Sequence, residues 1–209
     1  MGSPRRHVAL IFALGLVLSA GGARLATAGA PADQLKTQID RVLKVLDDPE
    51  LKKDGKGKDR RTAVRKIAND IFDFGETARR SLGRHWQARS PAERDEFVQL
   101  FADLLERSYI SRVELYGGEK IQYLGDTIDA DQGKVQTRLL TKGGSDIPIE
   151  YRMHRKGERW LVYDVIIEGV SLVANYRTQF NKIIQTSSYP ELIRKMKLKQ
   201  VELSPGQPS

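Results

Sequence analysis

Residues Trp160–Phe180 read WLVYDVIIEGVSLVANYRTQF. The stretch opens with β-branched and aromatic residues in the manner of a strand and closes with helical spacing, and Glu168-Gly169 marks the join. A strand with one face in water alternates apolar and polar side chains. This one does not. Strict alternation sets Trp160, Val162 and Ile166 on one face with Asp164, and Leu161, Tyr163, Val165 and Ile167 on the other. Both faces then need cover. One serves an ordinary core; the other needs further helices, a partner, or a cavity with an apolar guest. A central strand wrapped by helices without any ligand gives the same pattern.

The segment before it behaves differently. Ile147, Ile149, Tyr151 and Met153 share one face of Asp146–Lys156, while Glu150, Arg152 and His154 share the other. Two earlier runs, Lys120–Asp129 and Lys134–Lys142, also have period two. With Arg159–Glu168 they make four strands joined by Asp131-Gln132-Gly133, Gly143-Gly144-Ser145 and Lys156-Gly157-Glu158. Links this short join antiparallel neighbours, so the expectation is a four-stranded meander.

Helical spacing flanks it. Leu35, Ile39, Val42, Leu43 and Leu46 mark a helix over Asp33–Asp48, and Val64, Ile67, Ile71, Phe72 and Phe74 mark a second over Arg60–Phe74. The glycines and charges of KKDGKGKD (Lys52–Asp59) read as a solvated loop, without the spacing of a phosphate-binding loop. A short helix, Glu76–Leu82, precedes a strong start signal: Ser90 as N-cap, Pro91 at the first position and Glu93 closing a capping box. That helix runs to about Tyr116 with Phe97, Leu100, Phe101, Leu104 and Leu105 as its stripe, Ile110 and Val113 drifting around the axis, and Gly117-Gly118 as its stop. Ser171–Thr186 and Pro190–Lys199 are the closing helices. The expected class is α+β: a curved antiparallel sheet with N-terminal and C-terminal helices laid against one face.

The chain has 209 residues and no cysteine, which excludes disulfides, thiolate metal sites and a cysteine nucleophile. Arg5 and Arg6, the apolar run Val8–Ala20, and small residues up to Ala28 form the three-part pattern of a secretory signal peptide. The run is short for a span of about 20 residues. The expected organisation is a cleaved signal over 1–28, one domain over 29–200 and a polar tail over 201–209. The formal charge is +8, and removal of the signal leaves about +5. A basic exported protein meets anionic lipid surfaces; export and the lack of a recognition motif speak against nucleic acid.

The stretch from Tyr163 to Phe180 resembles the C-terminal signature of the MlaC family, the Ttg2-type or toluene-tolerance proteins. Trp160, Tyr163-Asp164, Glu168-Gly169-Val170-Ser171, Asn175-Tyr176-Arg177 and Phe180 carry the likeness. Upstream, FDF (Phe72–Phe74), LGRHW (Leu82–Trp86) and SPAERDEFVQLFADLLERSY (Ser90–Tyr109) are similar to the family too. The resemblance implies an NTF2-like fold and a periplasmic carrier that holds phospholipid tails between sheet and helices. It also implies partners: an outer-membrane lipoprotein–porin complex and an inner-membrane ABC transporter complex, served so as to maintain outer-membrane lipid asymmetry. No cofactor or metal is expected. Two acyl chains hold roughly 30 methylenes at about 0.8 kcal/mol each, so bare transfer to water would cost on the order of 20 kcal/mol or more. Such a pocket must be deep and apolar, while a headgroup can remain in water.

On this reading the lining candidates are Phe97, Phe101, Leu104, Leu105, Ile149, Tyr151, Tyr163, Val165, Ile167, Val170 and Leu172. Each is equally a plain core residue by pattern. Glu168 is expected where strand becomes helix, in a structural role at a helix N-terminus or as a grip on a partner or gate of the pocket. Asn175, Tyr176 and Arg177 are candidates for a docking surface, with Arg177 alternatively pairing an acid. Enzymatic readings are weaker. Gly169–Val173 lacks the second glycine of a nucleophile elbow. An isomerase or dehydratase of NTF2-like type would use Asp164 and Tyr163, which strict alternation places on opposite faces. Two other readings stand: an adaptor without cargo, and a carrier of hopanoid or another polycyclic lipid.

Overall fold

The computed structural model describes residues 30–114 and 116–199, with side chains outside 30 and 110–114. The expected signal peptide and tail, and the side chains of Ile110 and Val113 in the helical stripe, lie outside what is described.

Among these residues four α-helices come first: α1 (Ala30–Asp47), α2 (Gly57–Ile71), α3 (Phe74–Leu82) and α4 (Pro91–Glu114). Five strands follow: β1 (Lys120–Asp129), β2 (Gln132–Leu140), β3 (Asp146–Lys156), β4 (Arg159–Ile167) and β5 (Val170–Ser171). Helices α5 (Leu172–Thr186) and α6 (Tyr189–Lys197) come last among the described residues. The sheet is an antiparallel meander in the order β1-β2-β3-β4-β5. It has one strand more than the expected four, because the two residues of β5 are too short to show a period.

The start of α4 is capped as its sequence predicts. Ser90 Oγ accepts from the Glu93 N–H at 3.2 Å, and Glu93 accepts from the Ser90 N–H at 2.8 Å. Glu168 is different. Ile167 pairs with Val170, so Glu168-Gly169 is a two-residue hairpin turn, and both residues have positive φ, 50° and 82°. A tight hairpin demands this backbone, and glycine meets the demand at 169 without strain. Glu168 is therefore an exposed turn residue and not the start of a helix. The N-cap of α5 is Ser171, whose Oγ accepts from the Ala174 N–H at 3.0 Å.

The faces of β4 also depart from strict alternation. Arg152 on β3 stands opposite Asp164, but its neighbour Met153 stands opposite Val162, so Tyr163 is the extra residue of a β-bulge. The parity flips there. Trp160, Val162, Val165 and Ile167 share the helix-covered face with Met153, Tyr151 and Ile149. Asp164 joins Arg152 on the opposite face, and the Tyr163 ring lies there too, 6.0 Å from the His154 ring.

Two cores result. Leu35 of α1, Ile67 and Ile71 of α2, and Val135, Met153, Trp160 and Val162 of the sheet form one. The other is helical: Leu82, Phe97, Phe101, Leu104, Tyr176, Phe180, Leu192 and Met196 from α3, α4, α5 and α6. Its centre is aromatic, with Phe97 and Phe180 5.5 Å apart and Phe101 and Tyr176 4.8 Å apart, both edge to face.

Candidate lipid-binding site

The segment between α2 and α3 ties the helices to the bulged strand. Phe72 forms a parallel bridge with Val162, and the Asp73 N–H donates to the Val162 carbonyl at 2.9 Å. The Thr77 hydroxyl donates to the Tyr163 carbonyl at 3.1 Å. Asp73 caps α3 by accepting from the Glu76 N–H at 2.9 Å, and its other oxygen lies 3.2 Å from His154 Nε2 and 3.3 Å from Lys156 Nζ. Burial acts to raise its pKa, but the Glu76 N–H, Lys156 and His154 together outweigh burial and hold the carboxyl below its ordinary value. With Asp73 fixed by its cap and the sheet, Phe72 and Phe74 stack at 5.7 Å on the wall of a cavity.

That cavity has a volume of about 630 Å³, within the range of small-molecule sites. It is the gap between the two cores. Val64 and Ala68 of α2, with Phe72, form one wall; Ala102, Leu105 and Tyr109 of α4 form the facing wall. Ile149, Tyr151, Val165 and Ile167 of the sheet close a third side, and Phe74 and Leu172 a fourth. Polar side chains gather on the two helices: Arg65 and Asn69 from α2, and Gln99, Asp103 and Glu106 from α4. Arg65, Asn69 and Gln99 are exposed, so this is the rim. Arg65 and Glu106 form an ion pair from one helix to the other. Burial pushes the Tyr151 hydroxyl up to about 12, so this wall residue stays neutral. Among the described residues no three His, Asp or Glu side chains gather to hold a metal.

Seven of the residues named from the sequence stand on these walls: Leu105, Ile149, Tyr151, Tyr163, Val165, Ile167 and Leu172. Phe97, Phe101 and Leu104 do not. They are fully buried in the helical core, because α4 turns that stripe toward α5 and α6 and turns Ala102, Leu105 and Tyr109 toward the gap. Val170 is half-buried in the short β5 and stands off the cavity. Tyr176 is fully buried among Phe101 and Phe180, so its side chain offers no docking surface. Asn175 is half-buried and accepts from Gln179 at 3.1 Å. Arg177 is exposed and pairs with no acid among the described residues, against the alternative that it forms an ion pair.

Asp164 is 4% exposed and fully engaged. It accepts from Ser171 Oγ at 2.7 Å and from the Val173 N–H at 3.0 Å, with Arg152 at 3.7 Å. Its task is to join the sheet to the first turn of α5. Val64, Ala68, Phe72, Phe74, Ala102 and Tyr109 also line the cavity, beyond the candidates expected from the sequence. Phe72 and Phe74 carried a signal, since two aromatics around a capping Asp point the same way when the chain is extended. Ala68 and Ala102 carried none: alanine suits any helix.

A comparison with protein-family models matches residues 36–198 to the family described as MlaC protein. A curated relative from Haemophilus influenzae, the intermembrane phospholipid transport system binding protein MlaC, is 25% identical over 65% of this chain and 66% of its own length. The toluene tolerance protein ttg2D of Pseudomonas putida is 30% identical over 43% of this chain and 44% of its own length. The chain thus aligns with just under two thirds, and with less than half, of these relatives. A phospholipid-binding protein from Ralstonia solanacearum, solved in complex with a phospholipid, superposes with a TM-score of 0.72 over 82% of this chain and 97% of its own, at 23% identity, a likeness of fold. The match to the family model spans most of the chain and includes every wall of the cavity, and the chain belongs to the MlaC family.

Proposed function

We propose that the protein is a periplasmic phospholipid carrier. It takes the acyl tails into the cavity between α2, α3, α4 and the sheet, and leaves the headgroup outside it. It shuttles the lipid between an outer-membrane lipoprotein–porin complex and an inner-membrane ABC transporter complex, and so maintains outer-membrane lipid asymmetry. The proposal includes removal of residues 1–28 on export and a single domain over 29–200.

The observation that carries it is the unfilled apolar gap between two otherwise close-packed cores. Protein interiors leave few voids larger than a water molecule. Here the facing surfaces of α2, α4 and the sheet are apolar and enclose about 630 Å³. Hydrocarbon is the guest that such walls favour, at roughly 0.8 kcal/mol per sheltered methylene. The family, the transport system named for the Haemophilus relative and the phospholipid held by the Ralstonia neighbour support the same cargo. Among the described residues no helix is long and apolar enough to cross a membrane.

The test is organic extraction of the protein purified from periplasm, followed by mass spectrometry of the lipids and of the intact chain. The expected result is near-stoichiometric phospholipid on a chain beginning close to residue 29. A consistently lipid-free protein overturns the proposal, and a polycyclic lipid in place of phospholipid overturns its cargo.

A further inference from the structure

A second cleft, of about 320 Å³, lies across β4 from the apolar cavity. The two share Tyr163 and Asp164 as walls. Its character is opposite. Four arginines line it, from three elements: Arg79 and Arg80 of α3, Arg152 of β3 and Arg177 of α5. The β4 bulge is what turns the Tyr163 ring into this cleft beside Asp164.

The arginines are held and are far from saturated. Glu76 binds Arg79 through Nε and Nη2, each at 2.6 Å, and Arg80 through Nε at 2.7 Å. Arg80 lies 3.9 Å over the Tyr163 ring, and Arg152 Nε donates to Glu150 at 3.3 Å. The stem of Arg177 crosses the helix-ending Gly83, whose φ is +57°; a Cβ there would stand 3.1 Å from Arg177 Cδ. A side chain at 83 would displace that stem. Arg177 itself makes no hydrogen bond or ion pair among the described residues. Each guanidinium presents five N–H donors in a planar fork, and the bonds just named engage only a few of them. The acids within reach, Glu76, Glu150 and Asp164, number one fewer than the arginines.

We propose that this cleft is a binding site for a phosphate-class oxyanion, with Arg177 as its principal contact and Arg80 and Arg152 facing it. Planar forks suit phosphate oxygens, and three of the four are already ordered by Glu76, Tyr163 and Glu150, which lowers the entropy lost on binding. Arg177 supplies a charge that no acid among the described residues neutralises. The oxyanion has two sources: free phosphate or a small phosphate ester, and the phosphate of a lipid headgroup.

Isothermal titration calorimetry of the full chain with inorganic phosphate, at low ionic strength, addresses the first source. The expected result is saturable one-to-one binding that Arg177→Gln weakens at least tenfold and that Arg41→Gln, on α1 and paired with Asp70 away from both cavities, leaves unchanged. Phospholipid retained by wild type and Arg177→Gln addresses the second. Retention reduced at least twofold, without phosphate binding, assigns the site to a headgroup. Phosphate binding equal in wild type and Arg177→Gln overturns the proposal, as does no phosphate binding with equal lipid retention. Circular dichroism and the melting temperature verify that Arg177→Gln is folded; its exposed side chain leaves the core untouched. A lipid-free protein that binds phosphate through Arg177 would overturn the carrier reading and leave this site standing.

Discussion

The Asp164 carboxylate lies 3.0 Å from the backbone nitrogen of Val173, and through that bond the buried end of β4 fixes the first turn of α5. The same carboxylate accepts from Ser171, the N-cap of α5, at 2.7 Å. A buried acid so engaged is a structural joint. Asp164→Ala leaves the Ser171 hydroxyl and the Val173 N–H without their acceptor and is expected to lower the unfolding free energy by about 2–4 kcal/mol in urea titration. Asp164→Asn keeps one acceptor oxygen and is expected to fold and to transfer lipid between vesicles at close to the wild-type rate. A large loss of transfer in a stably folded Asn variant would return the acid to the functional machinery.

The cavity itself is tested by filling it. Ala102 faces the gap from α4, and a tryptophan there projects into space, not into packed atoms. Ala102→Trp is expected to reduce co-purifying lipid severalfold with little change in melting temperature. Phe97→Ala makes the control. Phe97 is fully buried in the helical core, so its loss is expected to cost about 3–5 kcal/mol of stability while lipid per folded molecule stays the same. The opposite pattern for the pair would place the lipid among α4, α5 and α6.

These two residues also mark what the sequence made legible. Strands β1 and β3 fall where period two places them, and the capping box starts α4 at its predicted residue. The α4 stripe was legible as apolar, but Phe97 and Leu105 belong to one stripe while only Leu105 reaches the cavity. A core and a hydrocarbon pocket present the same side chains to a helix, so hydropathy does not separate them. The bulge at Tyr163 was not legible for another reason. It depends on which β3 residue each β4 residue faces, and a single strand's sequence carries no register. That one residue reverses the faces assigned to Val165, Ile167 and Asp164, and it sets Tyr163 and Asp164 together on the wall of the arginine cleft.

The Arg65–Glu106 pair spans the rim from α2 to α4. Arg65 is half in water, so the pair is worth no more than about 1 kcal/mol to stability. Its expected effect is kinetic: a lipid leaving between these helices must pass it. Glu106→Gln is expected to speed lipid release severalfold in a vesicle transfer assay with the melting temperature nearly unchanged. Added salt should speed the wild type and affect the variant less. Identical salt dependence in both would remove the pair from the exit route.

Asp73 predicts a pH dependence with a defined sign. Its carboxyl titrates below the ordinary 3.8 in the folded protein, because the Glu76 N–H, Lys156 and His154 favour the charged form over the opposing effect of burial. A depressed carboxyl pKa adds stability above the unfolded value, and that stability is lost as the pH falls through the folded value. Asp73→Asn keeps a capping oxygen and removes the charge. It is expected to be less stable than wild type by on the order of 1 kcal/mol at neutral pH. The difference should close progressively below about pH 4. A difference that holds constant to pH 2 would mean the charge contributes nothing there.

Glu168 offers the cleanest separation of turn geometry from function. Its φ of 50° is one that side chains with a Cβ rarely adopt, and Asn tolerates it better than Glu. The neighbouring Gly169 already meets the same demand at φ 82°, so the turn itself is set by the Ile167–Val170 pairing. If geometry alone governs position 168, Glu168→Asn is expected to raise the unfolding free energy by about 0.5–1 kcal/mol and leave transfer to acceptor membranes unchanged. If the exposed carboxylate instead grips a partner, the variant will gain stability and lose transfer to the membrane complexes, while lipid occupancy stays at the wild-type level. Measuring melting temperature, occupancy and complex-dependent transfer on this one variant decides between the two, because the strained backbone would then persist only for the sake of its charge.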